Sequence, residues 1–158
     1  MKNKISFLLV IPSIIVFLDQ LTKFLVEKNL PYHQPISVFG EFFRLTFVYN
    51  PGVAFGLNFG EKFPYTPIAI AITLFVLYLA IKEKSFLSFF AYCLIIGGAL
   101  GNIIDRIFRG MVVDFLDIGI NEHLRWFVFN LADSVITIAI FLLIFDSVFK
   151  RSKHEVKR

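Results

Sequence analysis

From Pro67 to Ile81 the sequence PIAIAITLFVLYLAI carries no charge, and similar runs recur at ISFLLVIPSIIVFL near the start, after Phe86, and from Leu131 to Phe149. Helices of roughly twenty apolar residues cross a hydrocarbon core of about 30 Å, so these runs dictate the architecture. With 158 residues of which 57% are hydrophobic, the chain is too apolar to be a soluble domain of this size. The expected fold is an all-α polytopic membrane protein, a single membrane domain over residues 1–158 with four transmembrane helices. Spans are predicted at about 5–26, 66–82, 86–105 and 131–149, leaving excursions at 27–65 and 105–130. The first run resembles a signal peptide. No small-x-small cleavage site follows it, however, and Asp19-Gln-Leu-Thr-Lys23 continues at helical spacing, so it reads as a retained span that Pro12 is positioned to kink.

Charge sets the orientation. Lys2 and Lys4, Lys82 and Lys84, and the basic tail from Lys150 to Arg158 fall on one side, opposed there by Glu83 and Glu155. Both termini are therefore expected in the cytoplasm and both excursions outside, with the tail marking topology. The net charge of +4 thus reflects membrane orientation and not a nucleic-acid partner. Small residues at Gly97, Gly98 and Gly101 in the third span allow helix backbones to approach closely.

The first excursion is too long for a simple connection. Its segment Phe43–Tyr49 alternates, with Phe43, Leu45, Phe47 and Tyr49 on one face, as a half-buried strand does. A short partner is expected at Ile36–Phe39, turning at Gly40-Glu41, and Asn50-Pro-Gly52 ends the strand. LRWFVFN at 124–130 reads as a further short strand.

Against this apolar background, acids in or near the spans are functional candidates by default. Asp19, Asp105, Asp114 and Asp133 all fall at the outer-leaflet end. Each has a structural reading: Asp133 as a helix cap, Asp114 as a buried partner of Arg106 or Arg109, Asp105 in an end-of-helix salt bridge with Arg106, and Asp19 paired with Lys23 four residues on. Asn102, Arg106 and Asn130 read either as polar caps or as donors that orient substrate carbonyls or fix the acids. Cys93, the single cysteine, lies in an apolar run as a packed residue. His33, His123 and His154 are scattered without ligand spacing, so no metal is expected. With no Ser/His, Cys/His or zinc set competing, Asp114 and Asp133 are the leading catalytic pair. Two carboxyls in contact cannot both ionise, so one can take a proton from water while the other gives one to a carbonyl oxygen. Two other classes remain at this point: a proton- or ion-coupled transporter using Asp105, Asp114 and Asp133, and a purely structural assembly factor.

Five motifs in order, Asp19-Gln-Leu-Thr-Lys23, Asn50-Pro-Gly-Val-Ala-Phe-Gly56, Gly97-Gly-Ala-Leu-Gly-Asn-Ile-Ile-Asp-Arg106, Val112-Val-Asp-Phe115 and Phe129-Asn-Leu-Ala-Asp-Ser134, closely resemble the bacterial lipoprotein signal peptidases, signal peptidase II. The resemblance implies a four-helix membrane aspartyl endopeptidase of the bacterial cytoplasmic (inner) membrane, free of metal and cofactor, with a small extracytoplasmic β-cradle. Its substrates would be prolipoproteins bearing diacylglycerol on the lipobox cysteine, cut just before that residue at the outer leaflet. Carried over by residue, Asp114 and Asp133 are the catalytic dyad. Asn50, Gly52, Asn102, Asp105, Arg106, Asn130, Asp19 and Lys23 shape or support the site. Membrane lipid is the expected surrounding partner, and the protein is expected to act as a monomer.

Overall fold

The computed structural model describes residues 2–52, 60 and 63–155, with side chains over 4–52, 60 and 63–150. The elements run α1 (Lys2–Asn29), β1 (Ile36–Phe39), β2 (Phe43–Asn50), α2 (Tyr65–Lys82), α3 (Phe86–Phe108), β3 (Val112–Ile118) and α4 (Leu131–Glu155). Residues 53–56 of the Asn50–Gly56 motif and the side chains of the basic tail beyond Lys150 lie outside the described residues.

All four helices are long and apolar enough to cross a membrane. Their roles differ: 56% of the apolar window of α3 is buried, against 11–17% in the other three, so α3 is the hub and its neighbours turn most of their surface outward. α3 packs against α1, α2 and α4. The glycines make this possible. A Cβ on Gly97 would sit 2.8 Å from Ile15 of α1, one on Gly98 would sit 2.7 Å from the carbonyl oxygen of Ala132 on α4, and one on Gly101 would meet the Asp19 carboxylate. Pro12 is buried against Gly97, and α1 runs unbroken through it. Because backbone blocks the Gly98 position, Gly98→Ala is expected to push α4 outward and destabilise the protein by about 1–3 kcal/mol, the usual range for overpacking. Thermal unfolding of the purified variant in detergent checks this; an unchanged melting temperature would contradict the close packing.

The bundle has two distinct ends. At one, Lys4 donates to the Glu83 carbonyl at 2.5 Å, Lys150 lies 3.7 Å from the Glu83 carboxylate, and Asp146 accepts from Ser88 at 2.5 Å and pairs with Lys150 at 2.7 Å. The short 83–85 connection therefore clasps the starts and ends of the chain together, and Ser85 caps α3. At the other end lies an antiparallel sheet of order β1-β2-β3. Phe47 of β2, with Val113 and Phe115 of β3, buries against Val26 of α1, and Leu45 and Tyr49 pack on the same cluster, as the alternation predicts.

Some expectations change. Residues 124–130 do not form a strand. They meet the sheet at two isolated bridges, Gly119 with Arg125 and Leu116 with Phe129. Going four residues from Arg125 to Phe129 advances only three along β3, so the register slips and no continuous ladder forms. The third strand is instead Val112–Ile118, whose burial on both faces erases the alternating signal. α1 and α3 also run past their expected ends at 26 and 105, because Glu27, Arg106 and Arg109 find partners there.

Candidate active site

α4 begins at Leu131, and its first turn is locked by a reciprocal cap. The Asn130 side-chain oxygen accepts the Asp133 N–H at 2.9 Å, and Asp133 Oδ2 accepts the Asn130 N–H at 3.4 Å. The cap reading of Asp133 is therefore right, and it uses one carboxylate oxygen. The other, Oδ1, accepts the Asn102 amide of α3 at 2.8 Å.

Asp114 reaches the same place from β3. Its Oδ1 accepts the Asn130 amide at 2.7 Å and its Oδ2 the Asn50 amide at 2.8 Å. Among the described residues no arginine pairs with it, and in particular neither Arg106 nor Arg109 does, contrary to the structural reading. Arg109 goes to Glu27 and Asp105, and Arg106 donates to the Gly52 and Asn102 carbonyls at 2.8 and 3.3 Å. Asn130 thus donates to both carboxylates, to Asp114 through its side-chain NH2 and to Asp133 through its backbone N–H, while its side-chain oxygen takes the Asp133 N–H.

The orientation of each asparagine amide follows from what its oxygen must accept. Gly52 N–H donates to Asn50 Oδ1 at 2.9 Å, Lys23 to Asn102 Oδ1 at 2.9 Å, and Asp133 N–H to Asn130 Oδ1. All three are groups that can only donate, so each NH2 is left to face a carboxylate. Gly52 contributes through its backbone in both directions.

Beneath this layer Lys23 is fully buried, 2.8 Å from both Asp19 and Asp105, with Asn102 taking its third N–H. An ammonium has three donors, and all are used. The expected Asp19–Lys23 pair is present, but Asp105 pairs with Lys23 and Arg109 and not with its neighbour Arg106. Asp19 also accepts the Ala132 N–H of α4 at 3.0 Å, and Asp105 the Val113 N–H at 3.2 Å, so both tie their helices to the segments that carry Asp133 and Asp114. All ten residues singled out from the sequence lie in one connected hydrogen-bond network. Gln20, Glu27, Tyr49 and Arg109 extend it, although the sequence did not assign them to the site and offered Arg109 only as a partner of Asp114. Asp19, Lys23 and Glu27 recur every fourth residue on one helical face, a spacing that marks Glu27 in hindsight.

Burial and charge distinguish the acids. Asp114 is 1% exposed, and burial first, then the negative charge of Asp133, push its carboxyl up from 3.8 to about 7 against the pull of Asn50 and Asn130. Asp133 is only partly covered and stands between two grooves. One, of about 520 Å³, runs between α4 and residues 126–129 and is walled by Trp126, Phe127, Phe129, Ile136 and Ile140. The other, of about 290 Å³, lies among α2, α3 and α4, with Ile72, Ile95 and Ile136 in its walls and Arg106 at its polar end. The Nε of Arg106 is buried without a hydrogen-bond partner among the described residues. The site therefore couples two mutually held acids to apolar clefts that open along the helices.

Known proteins share this layout. Residues 11–149 match the family model described as Signal peptidase (SPase) II. The lipoprotein signal peptidase of Fusobacterium nucleatum subsp. nucleatum is 43% identical over 147 residues, covering 91% of this chain and 87% of that protein. That of Syntrophus aciditrophicus is 32% identical, covering 97% of this chain and 99% of that one. A bacterial membrane enzyme solved by the in meso method at 2.3 Å resolution superposes with a TM-score of 0.83 at 31% identity, over 94% of this chain and 92% of that one. With four apolar helices, a small sheet at one end and a model match that spans nearly its whole length, the chain belongs to the signal peptidase II family, the lipoprotein signal peptidases.

Proposed function

We propose that this protein is a membrane aspartyl endopeptidase that removes the signal peptide from diacylglyceryl-modified prolipoproteins, cutting before the lipidated cysteine, with Asp114 and Asp133 as its catalytic pair. The observation that carries the reading is the shared Asn130 beside two apolar grooves: its side-chain NH2 donates to the Asp114 carboxylate and its backbone N–H to the Asp133 carboxylate. Asp133, at the groove wall, is the base, and Asp114, raised to about 7, holds the proton. Asp133 takes a proton from water as the water oxygen attacks the scissile carbonyl carbon, and Asp114 gives its proton to the carbonyl oxygen. In the collapse, Asp114 recovers a proton from the tetrahedral intermediate and Asp133 passes its proton to the departing nitrogen. The C–N bond breaks, leaving a signal-peptide carboxylate and a free amino group on the lipid-bearing cysteine. Arg106, at the polar end of the smaller groove, supports the substrate carbonyls; Asn50, Gly52, Asn102 and Asn130 orient the acids; Asp19, Lys23 and Asp105 anchor them to α1 and α3.

The grooves suit small apolar lipobox side chains and acyl chains that never leave hydrocarbon. The placement we infer is the bacterial inner membrane, termini and the 83–85 clasp in the cytoplasm by the distribution of Lys and Arg, the site at the outer leaflet where water is available, and a monomer acting among membrane lipids. The test is cleavage of a synthetic lipobox peptide, with and without diacylglycerol on its cysteine, by the reconstituted protein across pH. Only the lipidated peptide should be cut, at the peptide bond immediately before the cysteine. The rate should fall as pH rises through about 7, because Asp114 then loses the proton it must donate. Equal cleavage of the unlipidated peptide would remove the lipid requirement, and a rate unchanged up to pH 9 would remove the protonated Asp114.

A further inference from the structure

We infer that Arg109, with Glu27 and Tyr49, is a positioning clamp for Asp114, acting from outside the reacting groups; this deepens the peptidase reading and rests on it. Arg109 is the capping residue of α3, its N–H bonded to the Asp105 carbonyl at 2.7 Å, and Gly110 follows with a φ of 79° that turns the chain into β3. Its guanidinium spreads across three side chains. Nε lies 3.2 Å from both Glu27 oxygens, Nη2 3.1 Å from Glu27, and Nη1 3.0 Å from Gln20 and 2.7 Å from Asp105 Oδ1.

Two of these contacts, to Asp105 and to Glu27, lead to the two sides of Asp114. Asp105, held by Arg109 through Oδ1, uses Oδ2 to accept the N–H of Val113, the residue immediately before Asp114. Glu27, held by Arg109, accepts the Tyr49 hydroxyl at 2.9 Å, and Tyr49 immediately precedes Asn50, the donor to Asp114 Oδ2. Tyr49 pairs with Val113 across the β2–β3 ladder, so the two routes close into a ring around the strand pair that carries Asp114. A planar fork with five donors can hold α1, α3 and both strand routes at once, and a lysine ammonium cannot match its geometry. Tyr49 itself is braced by edge contacts with Phe47, 5.1 Å between ring centroids. The clamp touches neither groove; Arg109 and Glu27 are absent from the groove walls.

A displacement of the reacting groups by about 1 Å lowers turnover by as much as roughly a hundredfold without removing substrate contacts. Arg109→Gln, Glu27→Gln and Tyr49→Phe are therefore expected to lower kcat on the lipidated peptide by roughly tenfold to a hundredfold with KM within about twofold. Arg109→Lys should recover only part of the loss. The double variant Glu27→Gln/Tyr49→Phe should lose little more than either single one, because both cut the same route. Asp114→Asn, measured alongside, reports on the peptidase reading. If it is inactive while Arg109→Gln and Tyr49→Phe keep wild-type kcat per folded molecule, the clamp is wrong and the dyad stands. If Asp114→Asn is active, the dyad itself is wrong. Should Arg109→Gln fail to fold, Tyr49→Phe, which removes a single oxygen, decides alone: unchanged kcat overturns the clamp, and so does a loss confined to KM.

Discussion

Asp114→Asn should leave a folded, membrane-inserted protein that cleaves its lipidated substrate at less than about a thousandth of the normal rate, the scale on which a positioned acid contributes. The exchange preserves shape and deletes the proton donor. Two amide NH2 groups, from Asn50 and Asn130, face position 114, so an asparagine there satisfies one and must turn its own NH2 toward the other. Removing a buried, partly ionised carboxyl offsets some of that cost, and the melting temperature should change little. Asp133→Asn should be equally inactive but measurably less stable. One of its two oxygens becomes an NH2, so either the bond from Asn130 N–H or the one from Asn102 is lost. A weakened cap costs about 1 kcal/mol. Cleavage of a prolipoprotein followed by gel mobility, with thermal unfolding of the same preparations, separates the two effects. Full activity in either variant would remove the two-carboxylate mechanism.

The largest effect on stability is expected at Lys23. Lys23→Met keeps the volume and apolar stem but removes an ammonium that lies 2.8 Å from each of two fully buried carboxylates. Deleting one member of a buried ionic cluster typically costs about 3–5 kcal/mol, because the remaining charges stay desolvated without a partner. Asp105 keeps Arg109, whereas among the described residues Asp19 keeps the Ala132 N–H and a long contact from Gln20 at 3.3 Å. The penalty should therefore fall mainly on Asp19, and Asp19→Asn in the Lys23→Met background should restore part of the lost melting temperature. Lys23→Met melting like the wild type would show that the buried triad is not ionic. Failure of Asp19→Asn to restore anything would place the cost elsewhere.

How far the sequence could reach is clearest at particular residues. The helices were legible because membrane spans depend on one property, a sustained apolar run, and Lys82-Glu-Lys84 interrupts two of them at a connection that ends α2 and starts α3. β2 was legible because its apolar residues Phe43, Leu45, Phe47 and Tyr49 alternate with Arg44 and Thr46, and the face that carries Phe47 packs on the Val26 cluster. β3 was not, since a strand covered on both sides has no alternation to read, and the catalytic candidate Asp114 sits in that strand. Asn50, Asn102 and Asn130 stood out in motifs, and the amides of Asn50 and Asn130 are oriented locally, by the N–H groups of Gly52 and Asp133; the Asn102 amide depends on donors 28 and 79 residues away, which no local pattern encodes. Asp105 was misread for another reason. Its sequence neighbour Arg106 was the natural partner, yet on a helix adjacent residues diverge by about 100°, and the partner is Arg109 one turn on.

The proton on Asp114 is the feature on which the two-carboxylate mechanism stands or falls. Carboxyl-labelled aspartate, followed by carbon NMR through a pH titration of the purified protein, gives the midpoint of Asp114 once Asp114→Asn has assigned its signal. The midpoint is expected near 7 and should move down when Asp133→Asn removes the neighbouring charge. A midpoint in the ordinary carboxylate range near 4, unmoved by that substitution, would mean that the two acids do not share a site.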